Sequence, residues 1–462
     1  MSQKWFRSKL FIKGVHGPYI ILLLLIAVSG LLIWRLFSFI SHYSVNILFY
    51  DQLAFYSPLF DYKNLWQVFS WQHGPHREGI GLVITAILAN ATHWNSKADA
   101  FAAGIILSLA LLCALVLKWR LFGSITFADI TIPFIFLTLF QYEALVVVPN
   151  LSYGVSPLLL IMLYCLALLL DKQIKRYLII LILNFLLIYT GFGVFMGLLT
   201  MVILLIDIYQ SRHRRKDFYV AIIAFFLALV SNFSFLISYH FDPAIPNFSL
   251  SVSNLLQYPF FVSMMLSAYW GWHALVVGQP IAIIAGSFIL LMLIAVLVFR
   301  GRRLFRYGLY FDHKNLVMVI LIGYSLLFCL FTAVGRTPLG LQQAQVSRYL
   351  TLLIPAFLAL YFHLQTIRNV KLRQLFLSAY FIMSIVGSLP IRMIDTLPLK
   401  NYNDKINWKT CYLQYEDVNR CDQLTQFHIY PVNNDDLQNK LFYLKKHQLN
   451  LFLDSENISV PK

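Results

Sequence analysis

"PYIILLLLIAVSGLLIWRLFSFI", from Pro18 to Ile40, decides what kind of molecule this is. It matches the length of the bilayer's hydrocarbon layer, for which about 20 apolar residues are needed. It is too long for the apolar core of a cleaved signal and has no small-residue cleavage site after it, so we expect it to stay in the membrane. Similar runs recur along most of the chain. The composition agrees, with 59% apolar and 12% charged residues. Each run must satisfy its own backbone groups away from water, which in a bilayer means helix. The expected class is an all-α polytopic membrane protein.

The net charge of +16 would suggest a nucleic-acid partner in a soluble protein. Here the positive-inside rule accounts for it, and no nucleic acid is expected. Basic residues gather in short clusters: "KWFRSKLFIK" (Lys4 to Lys13), "KWR" (Lys118 to Arg120), "KQIKR" (Lys172 to Arg176), "RHRRK" (Arg212 to Lys216), "RGRRLFR" with Lys314, and "RNVKLR" (Arg368 to Arg373). The intervening loops hold only Lys63, Arg77, Lys97, Arg336 and Arg348. Placing the clusters in the cytoplasm gives about 11 spans with the N-terminus in and the C-terminus out. The spans are Pro18–Ile40, Ala100–Leu117, Ile130–Val148, Tyr153–Leu170, Tyr177–Thr190, Gly193–Ile208, Phe218–Tyr239, Ile281–Phe299, Leu316–Val334, Tyr349–Ile367 and Leu375–Leu389. Two further apolar segments, Gly79–Thr92 and Leu255–Trp272, would reverse the charge pattern if they crossed. We expect them to lie in the outer interface, where Tyr and Trp are favoured.

The organisation follows. Residues 1–390 form the membrane domain, with a long first outer loop over 41–99. Residues 391–462 form a polar tail outside, at the small end for an independent domain. Cys411 and Cys421 in that tail are then on the oxidising side and suited to a disulfide. Cys113, Cys165 and Cys329 fall in spans and are read as packing residues.

Most polar residues able to do chemistry lie toward the outer side. The first loop carries "YDQLAFYSPLFDYKNLWQVFSWQHGPHREG" (Tyr50 to Gly79), with Asp51, Asp61, His73, His76, Arg77 and Glu78. Asp51 either marks the water boundary after a helix or acts. His73 and His76 have ligand spacing only if helical, and Pro75 between them opposes that, so no metal site is assigned. Glu143 lies within an expected span, where an acid is costly and usually faces a partner or a cavity. His240 and Asp242 follow the seventh span, and His273 lies in the second interfacial segment. The loop "VGRTPLGLQQAQVSRY" brings Arg336, Gln342 and Arg348 together. Guanidinium forks suit phosphate oxygens, though lipid headgroup anchoring would place arginines there too.

This layout resembles the C-type (GT-C) membrane glycosyltransferases. The likeness rests on "YDQLAFY" after the first span and on the run from "HGPHREGIGLVITAILANAT" into "KWRLFGS", and it is clearest over about the first 150 residues. The "WQHGPHREG" and "GRTPLGLQQAQVSRY" segments are also similar to those of uncharacterised bacterial membrane proteins. The resemblance implies a GT-C-like fold, a sugar donor linked to polyprenyl phosphate, a glycan or lipid acceptor, and a site on the outer face of a bacterial inner membrane. It makes Asp51 the catalytic base. Arg336, Arg348 and Arg77 would hold the phosphate, with His76, Glu143 and Gln342 helping to bind substrate. Many members carry two adjacent acids where this chain has Asp51 and Gln52, so a metal role is weakened and no cofactor is called for. The chemistry agrees: a phosphate-linked sugar needs a base for the acceptor and cations for the leaving phosphate. The rival readings are a secondary transporter or flippase, a polysaccharide polymerase or ligase, and a non-catalytic scaffold. The absence of a two-fold repeat and the crowding of polar residues at one face count against a transporter.

Overall fold

The computed structural model describes residues 17–240, 255–388, 393–431 and 435–457. The first basic cluster, Asp242 and the membrane-to-tail junction at Pro390 lie outside them. Among the described residues the chain is helical almost throughout, and its one sheet is the two-stranded hairpin of Gln72–His73 with His76–Arg77. Eight helices are long and apolar enough to cross a membrane: Tyr19–Tyr43, Lys97–Phe122, Gly191–Ser211, Arg215–Ser234, Gln279–Tyr307, His313–Leu339, Ser347–Gln365 and Val370–Ser388. The protein is an all-α integral membrane protein with multiple apolar helices.

The expected spans that differ are the third, fourth and fifth. Tyr153–Leu170 and Tyr177–Thr190 are the shorter helices Val155–Ala167 and Gln173–Ile188. The third, Ile130–Val148, is not one helix. It breaks into the 3-10 turn Phe127–Ile130, the helix Thr131–Phe136, the 3-10 turn Leu139–Gln141 and a π-helical stretch, Glu143–Val147. Pro133 and Thr138 start the disruption, because a proline removes a donor and the Thr138 hydroxyl accepts from the Phe140 N–H at 3.3 Å.

Breaking a helix in an apolar interior frees carbonyls that need new donors. Here side chains from distant segments supply them. Tyr269 Oη donates to Ile135 O (2.7 Å), Gln141 Nε2 to Phe136 O (2.8 Å) and Arg35 Nη2 to Leu137 O (3.1 Å). Lys405 Nζ, from the tail, donates to Val146 O (3.3 Å) and also to Val147 O.

Gly79–Thr92 forms a helix over the bounds expected for it and packs its Gly81, Leu82, Thr85 and Ala89 inward. Leu255–Trp272 departs from expectation. Its helix, Gln257–Ala268, is not laid on a surface: every residue from Phe261 to Trp270 is buried. It packs against Gln279–Tyr307, where Ser263 Oγ meets Ser287 Oγ at 3.0 Å and a Cβ on Gly286 would overlap the Ser263 carbonyl. A segment apolar on every face belongs inside a bundle, and that overrides the interfacial preference of its Tyr and Trp.

The tail folds into helices Met393–Tyr415, Val418–Thr425 and Asp435–Lys446 and a closing 3-10 segment, Asn450–Asn457. Cys411 and Cys421 are bonded, with their Cα atoms 5.6 Å apart. The tail does not stand apart, because Trp408, Leu441 and Leu451 belong to the same buried cluster as the membrane helices. Asn450 is the lock. Its Oδ1 accepts from Leu48 N (3.1 Å), its Nδ2 donates to Asn46 Oδ1 (3.2 Å) and Trp94 O (2.7 Å), and its carbonyl accepts from Asn46 Nδ2 (2.8 Å). Asn450→Ala takes these partners from the buried Leu48 N–H and Trp94 carbonyl and should cost about 2–4 kcal/mol. Thermal unfolding in detergent measures it, and an unshifted transition would contradict the lock.

Candidate functional site

The chain leaves the first helix at Tyr43 and runs buried to Phe49. Tyr50 then takes a left-handed φ of 54°, an uncommon conformation for a bulky residue. It is held by its N–H, which donates to Ile429 O of the tail at 2.9 Å. That turn starts the short helix Asp51–Phe55 and presents Asp51 half-buried at its first position. Gln52 points the other way, fully buried. Its Nε2 donates to Pro149 O (3.1 Å) and its Oε1 accepts from Phe49 N (3.1 Å). The position beside the acid therefore ties the first loop to the end of the broken helix, a task that needs both a donor and an acceptor and that a carboxylate lacks the donor to do.

The hairpin sorts its own residues. Successive strand side chains face opposite ways. His76 turns into a cavity, its ring 4.2 Å from Phe192 and 5.4 Å from Tyr153 between centroids. Burial pulls its pKa down to about 3, helped by the Arg336 guanidinium and His73, so it is neutral at ordinary pH. His73 is also lowered by burial, with Asp51 opposing. Arg77 turns away from these residues. Its Nε and Nη2 donate to Phe235 O at 2.9 and 2.8 Å, and further bonds reach Ser70 O and Ile237 O. Tyr189, Phe235 and Tyr239 surround the guanidinium. Arg77 is thus a strut between the first loop and the end of Arg215–Ser234, and its assignment to the phosphate is corrected.

Glu143 opens the π-helical stretch. Its N–H donates to Ser347 Oγ (3.0 Å), and its Oε2 accepts from the Arg348 N–H (3.2 Å). Arg348 Nη1 lies 4.0 Å from Asp51 Oδ2. Arg336, at the end of His313–Arg336, completes the set. A cavity of about 710 Å³ has Asp51, His73, His76, Glu143, Arg336 and Arg348 all in its wall. Aromatic rings line much of the rest, including Tyr50, Phe55, Tyr153, Phe192 and Tyr349. Two acids, two guanidinium groups and neutral imidazoles thus share one space whose walls are otherwise largely apolar.

Gln342 does not join them. It is exposed and lines a separate pocket of about 290 Å³ beside Tyr142 and His273. The working glutamine of its loop is Gln345, whose Oε1 accepts from Ala274 N (2.7 Å) and whose Nε2 donates to Trp272 O (3.0 Å). Among the described residues no three His, Cys, Asp or Glu side chains are placed to hold a metal ion. His73, Asn150 and Tyr153 line the cavity without having been assigned roles from the sequence. Behind them sits Glu78, wholly buried. Burial lifts its pKa to about 7, with Ser152, Tyr153 and Asn150 pulling the other way and Asp51 adding to the rise. No composition or spacing signal marks Asn150 and Tyr153, because only the fold brings 150–153 against the first loop.

No family model, curated protein or solved structure matches this chain.

The geometry separates Arg77 from the other cations by experiment. Arg77→Ala should lower stability by about 3–5 kcal/mol, since several buried carbonyls lose charged donors. Thermal unfolding in detergent measures the loss, and a variant of normal stability would contradict the strut.

Proposed function

We propose that this protein is a membrane glycosyltransferase that moves a sugar from a polyprenyl-phosphate donor to a glycan or lipid acceptor on the outer face of the membrane. The observation that carries the reading is the meeting of Asp51, Glu143, Arg336 and Arg348 in one cavity, because these are the groups that such a transfer needs. Those residues come from the first loop, the broken third segment and the loop after His313–Arg336, and nothing in the packing of an apolar bundle requires them to converge. On this reading the positive-inside rule sets this face opposite the cytoplasm, with the N-terminus in and the tail out, and the bacterial inner membrane is the location that the resemblance to the C-type transferases implies.

The acceptor hydroxyl attacks the anomeric carbon and its proton goes to an Asp51 oxygen. The bond from the anomeric carbon to the phosphate oxygen breaks, and the electron pair leaves with the polyprenyl phosphate. Arg336 and Arg348 balance the charge that develops there. A phosphate leaves without being protonated, so no general acid is required. Arg348 Nη1 faces Asp51 Oδ2 at 4.0 Å. A donor phosphate that takes over Arg348 frees the carboxylate to act as base. Glu143 accepts from the Arg348 backbone and fixes where that side chain starts.

Asp51→Asn keeps the side chain's shape and removes the proton acceptor. Transfer should fall by a factor of about 10² or more while donor binding persists. Arg348→Lys keeps the charge but loses the planar fork, so donor binding should weaken. Radiolabelled sugar transfer from polyprenyl-phosphate donors, with binding measured in parallel, checks both. A fully active Asp51→Asn variant would remove the base assignment.

A further inference from the structure

Glu78 is an ionisable group that this mechanism leaves idle. It is completely buried, Oε2 accepts from Asn150 Nδ2 at 3.4 Å, and Oε1 has no hydrogen-bond partner among the described residues. The segment beside it is held with unusual firmness. Ser152 Oγ donates to the Glu78 carbonyl (2.5 Å) and Ser152 N–H to Asn150 Oδ1 (2.7 Å). A Cβ on Gly81 or on Gly191 would overlap the atoms of Ser152, so both glycines are needed for the chain to pass between them. Gln52 anchors the same segment at Pro149. The ring of Tyr153 is fixed by Phe55, His76 and Phe192, at 5.3, 5.4 and 5.9 Å between centroids.

The result is two polar side chains, Asn150 and Tyr153, held rigidly in the cavity wall, with the Tyr153 ring among aromatic rings and its hydroxyl bonded to Glu78. The Asn150 amide is committed at both ends and cannot flip. Rigid donors between ring faces are what a polyhydroxylated ring requires, since the faces cover its C–H groups while its hydroxyls are bonded at fixed points. Phosphate needs no such groups when Arg336 and Arg348 are in the same cavity.

We propose that Asn150 and Tyr153 form the subsite that reads hydroxyls of the transferred sugar, and that Glu78 is the positioning residue that holds them. The inference rests on the glycosyltransferase reading and deepens it. In its neutral form Glu78 accepts from Asn150 and holds the Tyr153 hydroxyl more weakly, so that the hydroxyl can turn to the sugar. Once ionised it competes for that hydroxyl. Burial raises its pKa to about 7, so the neutral form prevails below that pH and is lost as pH rises through it. Asp51 is the charged group that acts on it and favours the neutral form further. Tyr153 is uncharged, His76 on the adjoining strand is neutral, and Arg77 points away into its own carbonyls.

The test compares binding of a short-chain polyprenyl phosphate, bare and carrying glucose, galactose or mannose, to the full protein in detergent. At about pH 6, one of the sugar-bearing forms should bind about tenfold tighter than the bare phosphate. Glu78→Ala and Tyr153→Phe should each erase most of that increment and leave bare-phosphate binding intact. Glu78→Gln should retain it. Raising the pH through 7 should shrink the increment in the wild type and leave Glu78→Gln flat. Equal binding of bare and sugar-bearing forms, or an increment untouched in Tyr153→Phe, would overturn the subsite. So would a pH dependence that survives in Glu78→Gln. If bare polyprenyl phosphate does not bind, or binds as well to Arg336→Ala and Arg348→Ala, the glycosyltransferase reading itself falls.

Discussion

The backbone from Ile135 to Pro149 runs through the apolar interior without a continuous helix, and its free carbonyls must find donors inside the protein. Each unpaired group would cost several kcal/mol away from water. Tyr269, Gln141, Arg35, Lys405 and Gln52 meet that requirement at Ile135, Phe136, Leu137, Val146 and Pro149. Apart from Gln141, which belongs to the broken segment itself, these donors come from the first helix, the first loop, the end of the buried helix Gln257–Ala268 and the tail. One unwound stretch therefore dictates how separate parts of the chain assemble. It also yields the site, because Glu143, Val147, Val148, Asn150 and Tyr153 follow from it into the cavity wall. Lys405 illustrates the cost: burial alone lowers its pKa to about 7.

Asp51 depends on the same arrangement from the opposite direction. Its loop is fixed by Gln52 to Pro149 and by Tyr50 to Ile429, one bond to the broken segment and one to the tail. The tail is thus part of the site's foundation, although none of its described residues lines the cavity. The two acids share the cavity with two guanidinium groups, and Arg348 Nη1 stands 4.0 Å from Asp51 Oδ2. Loops held this way carry chemistry more accurately than free ones, because the geometry is set by packing on both sides.

Much of this was legible in the sequence. Apolar runs and basic clusters gave the class and most of the long helices, and the apolar run Gly79–Thr92 coincides with its helix. Asp51, Glu143, Arg336 and Arg348 were recognisable because charge is rare away from the clusters, and the fold brings all four together. The break in the third segment was not legible, since a fragmented helix in an apolar interior keeps the composition of an intact one. Arg77 was misread beside His76 because a two-residue strand sends neighbours to opposite faces, and nothing in "HGPHREG" announces a strand. Gln342 and Gln345 are three residues apart in one loop, and only packing distinguishes the exposed one from the one that binds four backbone and side-chain partners. Glu78 reads as an ordinary loop acid until Ser152, Gly81 and Gly191 close over it.

The central claim is that the cavity beside Asp51 receives a lipid-linked phosphate. A cryo-EM structure of the protein in lipid nanodiscs with added polyprenyl phosphate tests it most directly. The account predicts phosphate density within hydrogen-bonding distance of the Arg336 and Arg348 guanidinium groups, with Asp51 released from Arg348 and the lipid chain leading out toward the membrane. Phosphate bound elsewhere, with Arg348 still facing Asp51 across an empty cavity, would contradict it.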